Sequence, residues 1–192
     1  MSSGLDQIKS QLAEGADVKQ SMVDSCSEGI LKAADLIIDT IKRGNKILWC
    51  GNGGSAAQAQ HLSTELLGGL RRHDLAPLPS ISLTTDSSLL TAWSNDVGFD
   101  TLFSRQIEGL GNGGDVLIAL STSGDSENVV KGVDAAEEKG LNVIVLTGRD
   151  GGRLANRGDV CVRVPSDDTQ RIQEGHLAAG HIFCELVEQS FA

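Results

Sequence analysis

Proline is scarce, three residues in 192, while glycine is abundant at 23. The glycines cluster at the ends of apolar runs, where they suit tight strand-to-helix loops rather than a flexible linker. No C-x-x-C pair occurs: Cys26, Cys50, Cys161 and Cys184 lie far apart, most of them in apolar runs. That spacing excludes a disulfide framework and gives no support for a zinc–thiolate site. No apolar run approaches the ~18 residues of a membrane span, and the N-terminal MSSGLDQIKSQ has no apolar core of an export signal. A cytoplasmic protein with no membrane partner is expected. A basic stripe is also missing. The net charge is −10, which excludes a general nucleic-acid binder. Any phosphate must therefore be held locally, by amides and hydroxyls, against the field of the whole chain.

What is present is a chain of ordinary apolar content, 40%, long enough for one α/β domain over 1–192 with a substantial core. Two N-terminal helices are expected within 1–43. The first, from Leu5 to about Ser25, has a narrow apolar stripe of the kind that packs on a neighbouring subunit. The second runs from Glu28 to Arg43 with a wide stripe and ends at Gly44-Asn45. Over 46–192, short apolar strands alternate with helices: Lys46–Cys50, Ser80–Leu83, Asp115–Leu120, Asn142–Leu146 and Asp159–Val164, with a last helix from about Arg171 to Gln189. Such a pattern predicts a parallel sheet covered on both faces, a three-layer αβα sandwich. Ligands in these folds sit at the carboxyl ends of the strands.

Two loops fall at such ends. Ser121-Thr122-Ser123-Gly124-Asp125-Ser126 offers four hydroxyls between a strand and a helix N-terminus, a good site for a phosphate monoester. The same residues also suit a turn that only caps the helix. The loop lacks the G-K-[ST] ending of a Walker motif. Gly51–Gly54, followed by Ser55, is a second candidate anion cradle, or a tight turn with Ser55 as cap. It is not G-x-G-x-x-G, which disfavours a dinucleotide. Along the helix from Ser55, His61 and Glu65 are spaced i, i+4 and share a face, as a metal half-site, a proton-transfer pair or a surface ion pair. H-L-S-T-E is not H-E-x-x-H, and two ligands leave zinc incomplete. The last helix adds Gln173, His176 and His181. Gln173 and His181 fall on one side but ~12 Å apart along the axis, so one site using both needs converging side chains or different subunits. His176 and His181 are five apart and do not share a face, and a histidine here also suits a core position satisfied by a carbonyl.

Taken together, CGNGGSAAQAQHLSTEL, the Asn95-Asp96 pair, STSGDSENV and RIQEGH…H resemble the SIS (sugar isomerase) family. They are most similar to its phosphoheptose isomerases, over nearly the whole chain from about residue 28. The resemblance implies conversion of sedoheptulose 7-phosphate to D-glycero-D-manno-heptose 7-phosphate through an enediol(ate), the first step toward ADP- or GDP-heptose precursors. It implies a homotetramer with active sites at subunit interfaces. It implies Glu65 as general base and His181 as general acid. Implied substrate contacts are Asn52, Gly53, Gly54, Ser55, Glu65, Asn95, Asp96, Ser121, Thr122, Ser123, Ser126 and Gln173. For zinc, one Zn2+ per subunit, the implied ligands are His61, Glu65, Gln173 and His181. Arg71 matches an arginine of the family pattern. Gln170 departs from that pattern, standing where an acidic or small residue is usual, which bears on how Gln173 is oriented. A rival reading within the family is a non-catalytic sugar-phosphate-binding module of the replication-initiator-associating type; the presence of both Glu65 and His181 favours the enzyme.

Overall fold

The computed structural model describes residues 3–192; the first two residues of the N-terminal stretch lie outside them. The chain opens with α1 (Gly4–Lys42), a single helix of 39 residues. This corrects the expectation of two helices. The serines around residue 25 resemble a break, but Ser21, Ser25 and Ser27 each turn their hydroxyl back onto the carbonyl four residues earlier. With no proline in the way, the helix runs through. A reciprocal Ser3–Asp6 capping box starts it, and Gly44, at φ +82°, turns the chain out at its end.

The order thereafter is β1 (Ile47–Gly51), α2 (Gly54–Leu67), β2 (Ser80–Ser82), α3 (Ser87–Asp96), α4 (Leu102–Leu110), β3 (Val116–Ser121), α5 (Glu127–Glu138), β4 (Asn142–Thr147), β5 (Val160–Arg163) and α6 (Thr169–Ser190). The five strands form one parallel sheet in the order β2-β1-β3-β4-β5. β1 and β3 are buried along their whole length, which is why they read as unbroken apolar runs.

Alternate residues of each strand feed opposite faces. Ile47 and Trp49 of β1 join Ile37 of α1, Leu62 of α2 and Phe183 of α6 in one core. Leu48 and Cys50 join Leu102 and Phe103 of α4 and Val129 and Val133 of α5 in the other. The result is the expected three-layer αβα sandwich, with α1, α2 and α6 on one face and α4 and α5 on the other. All four cysteines are free thiols, and burial pushes the Cys50 pKa up to about 12, as befits a small core residue. Among the described residues no helix is long and apolar enough to cross a membrane.

Of the two histidines of α6, His176 is the one in the core. It is fully buried, and neither ring nitrogen makes a well-formed hydrogen bond. Burial drives its pKa down to about 4, with the Thr147 backbone opposing only in part. An unfolded chain takes up this proton near pH 6.5, the folded one only near pH 4, so protonation in that window favours unfolding. Stability measured by urea titration is therefore expected to fall by roughly 3 kcal/mol more in the wild type than in His176→Leu between pH 6.5 and 4. Parallel pH profiles of the two proteins would refute this.

Candidate active site

The strand order reverses between β1 and β3: from β1 the chain steps to β2 on one side, and β3 leads to β4 and β5 on the other. At this switch point the two outgoing loops diverge to opposite faces and leave a crevice at the carboxyl ends. The β1–α2 loop and the β3–α5 loop both open there, held level by the pairing of Gly51 with Leu120.

Each loop is shaped by close backbone approach. A Cβ at Gly51 would meet the Leu120 carbonyl and Ser55, so only glycine lets β1 turn into α2 here. Gly53, at φ +55°, is the N-cap of α2 and leaves the helix start without a side-chain cap. Ser55 is buried beneath it. In the second loop Ser121 is buried; its hydroxyl accepts from Gly124 N (3.1 Å) and donates to Ser126 Oγ (3.3 Å). Ser123 Oγ accepts from Asp125 N (3.2 Å). Ser126 is the N-cap of α5 but makes no side-chain capping bond. Its hydroxyl, with those of Thr122 and Ser123 and the first-turn N–H groups, can face an anion. Glu127 in that first turn is ion-paired by Arg153 and Lys131, which hold its carboxyl below the usual range. Asp125 accepts from Arg153 N (2.9 Å).

A second group forms farther along the same face. α6 runs beside α2 in the same direction, so that Gly54 meets Gln173 and His61 meets His181. The helices touch through Gly180, where a Cβ would run into the fully buried Leu62 side chain. That contact brings His61 Nε2 to 2.8 Å from His181 Nε2, with His61 Nε2 3.2 Å from Glu65 Oε1. Ligand atoms of His61, Glu65 and His181 all lie within 4.8 Å of one another. Two imidazole nitrogens and a carboxylate converging this closely fit a catalytic zinc site that keeps a position open for substrate. His181 thus reaches His61 and Glu65 within one chain, without a neighbouring subunit.

Gln173 stands apart from this group. Its amide lies against Gly54, and Gln58 Nε2 donates to its backbone carbonyl (2.6 Å). Within one chain its amide lies at the glycine loop. The helix rise between Gln173 and His181 is ~12 Å. Gln170 sits in the first turn, its N–H donating to the cap residue Asp168 (2.8 Å). Asn95 and Asp96 end α3, exposed and bonded to each other (2.8 Å), with no hydrogen bond to either loop among the described residues. Arg71 pairs with Glu185 (2.8 Å).

One residue was missed altogether. Asn128 is buried in the first turn of α5 and exchanges two hydrogen bonds with Asn52, Asn52 Nδ2 to Asn128 Oδ1 (2.8 Å) and Asn128 Nδ2 to Asn52 Oδ1 (2.9 Å). The only signal in the sequence was a polar residue on what becomes the apolar face of an amphipathic helix.

Comparison with known proteins is consistent along the chain. Residues 12–148 match the SIS domain family. The phosphoheptose isomerase of Rhodospirillum rubrum is 49% identical over 185 residues, 96% of this chain and 97% of that protein. That of Aquifex aeolicus is 48% identical over 185 residues, 96% of each. Among solved structures, a phosphoheptose isomerase from Francisella tularensis superposes with a TM-score of 0.94 at 37% identity, covering 98% of this chain and 100% of that one.

Gly180 gives a direct check on the α2–α6 contact. Gly180→Val forces the buried Leu62 aside and is expected to cost about 1–3 kcal/mol. Urea unfolding would show this as a lower midpoint at unchanged slope; a midpoint equal to wild type would contradict the close contact.

Proposed function

The chain belongs to the SIS domain family, and within it to the phosphoheptose isomerases; from this premise we propose that it converts sedoheptulose 7-phosphate to D-glycero-D-manno-heptose 7-phosphate, a step toward ADP- or GDP-heptose precursors. The observation that carries the proposal is the convergence of His61 and Glu65, on the helix that leaves the glycine loop, with His181 of α6.

The reaction moves a proton from C1 to C2. Glu65 takes the C1 proton with a carboxylate oxygen as the C2 carbonyl becomes an enediolate oxygen. His181 supplies a proton to that oxygen. The O1 hydroxyl then gives its proton to His181, now neutral, and Glu65 returns a proton to C2, leaving an aldehyde at C1 and both side chains in their starting states. Glu65 Oε1 faces His61, which leaves the second oxygen for the carbon acid. His61, Glu65 and His181 would hold one Zn2+ per subunit, and such an ion supplies Lewis acidity toward the carbonyl oxygen when bound.

In this reading the phosphate sits on Thr122, Ser123 and Ser126, with Ser121 shaping the cradle from beneath. Asn52, Gly53, Gly54, Ser55 and Gln173 face the sugar body, with Asn95 and Asp96 at the rim. Distance then matters. At 1.5 Å per residue, Gly54 and Glu65 are ~16 Å apart along α2. An extended seven-carbon chain with its phosphate spans roughly 10 Å, at C–C bonds of about 1.5 Å. The mismatch supports a site in which one subunit's cradle meets a neighbour's acid–base group. The exposed apolar edge of the N-terminal half of α1, Leu5, Ile8 and Leu12, supports the same assembly, a homotetramer. We read residues 1–192 as one SIS domain acting in the cytoplasm.

Incubating the purified protein with sedoheptulose 7-phosphate is expected to yield an aldose phosphate; no aldose would sink the proposal. Glu65→Gln is expected to lower kcat by about 10²–10⁴-fold while the protein still binds the sugar phosphate; full activity would remove Glu65 as base. Metal analysis is expected to find zinc near one per subunit, and to find it lost in His61→Ala. Full activity with substoichiometric metal would count against the zinc role.

A further inference from the structure

Asn128 is 2% exposed, yet it is polar and sits on a helix face otherwise occupied by Val129, Val130 and Val133 packing into the core. An apolar residue of the same shape would serve packing at no desolvation cost. Its amide spends one donor and one acceptor on Asn52 alone. The two side chains come from the two loops that flank the β1–β3 switch point, 76 residues apart in the chain. They form a reciprocal amide pair joined by two hydrogen bonds. Turning over either amide by itself would set oxygen against oxygen and nitrogen against nitrogen, so Asn128 fixes both the rotamer and the facing of Asn52.

An amide held in this way has one N–H and one oxygen lone pair left. Because Asn128 is buried and Asn52 is only half-buried, the free edge toward the crevice belongs to Asn52. Its remaining N–H and its remaining oxygen lone pair lie on opposite flanks of the amide, so the flank that faces the crevice offers one directed hydrogen bond to a sugar hydroxyl. We propose that Asn128 is a positioning residue: it holds Asn52 as a pre-oriented hydrogen-bonding group for the polyol part of the substrate and ties that group at fixed distance from the hydroxyl-rich loop that takes the phosphate. This rests on the reading of Asn52 as a sugar contact. Its value to binding is that the group is ordered before substrate arrives.

The test is calorimetric and independent of turnover. Affinity for sedoheptulose 7-phosphate and for inorganic phosphate is measured for wild type, Asn128→Leu, Asn128→Asp, Asn52→Leu and the double variant Asn52→Leu/Asn128→Leu, with Tm recorded for each. Asn128→Leu is expected to weaken the sugar phosphate about tenfold, the scale of losing one oriented hydrogen bond, and to leave inorganic phosphate within twofold. Asn128→Asp keeps the volume and one acceptor but sets a carboxylate oxygen against Asn52 Oδ1; it is expected to show the same selective loss, and it decides the matter if the leucine variant does not fold. The double variant is expected to match Asn52→Leu, because Asn128 acts only through Asn52. Three results would overturn the proposal: a sugar-phosphate affinity within twofold of wild type in both Asn128 variants, equal losses for sugar phosphate and inorganic phosphate, or losses that multiply in the double variant. Unchanged sugar-phosphate affinity in Asn52→Leu would overturn it as well, by removing Asn52 as a contact. Absence of turnover in the wild type would strike the isomerase reading alone and leave these affinities to decide the role of Asn128.

Discussion

The pairing of β1 with β3 is the constraint on which everything else hangs. At its amino end, buried Asp115 accepts from Lys46 N (3.0 Å), Lys46 Nζ (2.5 Å), Asn112 N (2.8 Å) and Asn45 Nδ2 (3.2 Å). Burial alone would raise its pKa, but these bonds outweigh it and hold the carboxyl below the usual range. The two strands are thereby started in register. At the carboxyl end the same register delivers two loops side by side, and the Asn52–Asn128 pair joins them again across the crevice. A one-residue slip between β1 and β3 would turn Trp49 from one core to the other and separate the loops.

The second organising contact is between α2 and α6. It depends on a residue with no side chain, Gly180, and on the fully buried Leu62 that fills the space. Small residues let two helices approach closely enough for short side chains on both to meet. Here that closeness converts an ordinary i, i+4 pair, His61 and Glu65, into a three-membered cluster with His181. In the proposed function the loops would hold anions and hydroxyls through backbone N–H groups and serines, and the cluster would handle protons; α2 connects the two and sets their separation.

Much of this was legible in the sequence. Buried parallel strands show as continuous apolar runs, and glycine and serine at strand ends mark the loops, so the sheet, its layers and the positions of both loops could be read directly. The i, i+4 geometry placed His61 and Glu65 together. Other features depend on contacts between segments remote in sequence and left no local trace. The meeting of His61 with His181 spans 120 residues, and the Asn52–Asn128 pair spans 76. Gln173 joins the cluster only through the resemblance of RIQEGH…H to the family; within one chain the rise of α6 keeps its amide at Gly54. The apparent break in α1 failed for a local reason: serine hydroxyls that can end a helix can equally fold back onto its own carbonyls.

The central claim is that this chain moves a proton between C1 and C2 of a ketose phosphate with Glu65 as the base. Nuclear magnetic resonance of sedoheptulose 7-phosphate incubated with the protein in D2O tests it most directly. The account predicts an anomeric C1–H signal of the aldose with deuterium carried at C2, both arising about 10²–10⁴-fold more slowly with Glu65→Gln. An unchanged ketose spectrum, or an aldose formed equally fast by the Glu65→Gln protein, would contradict it.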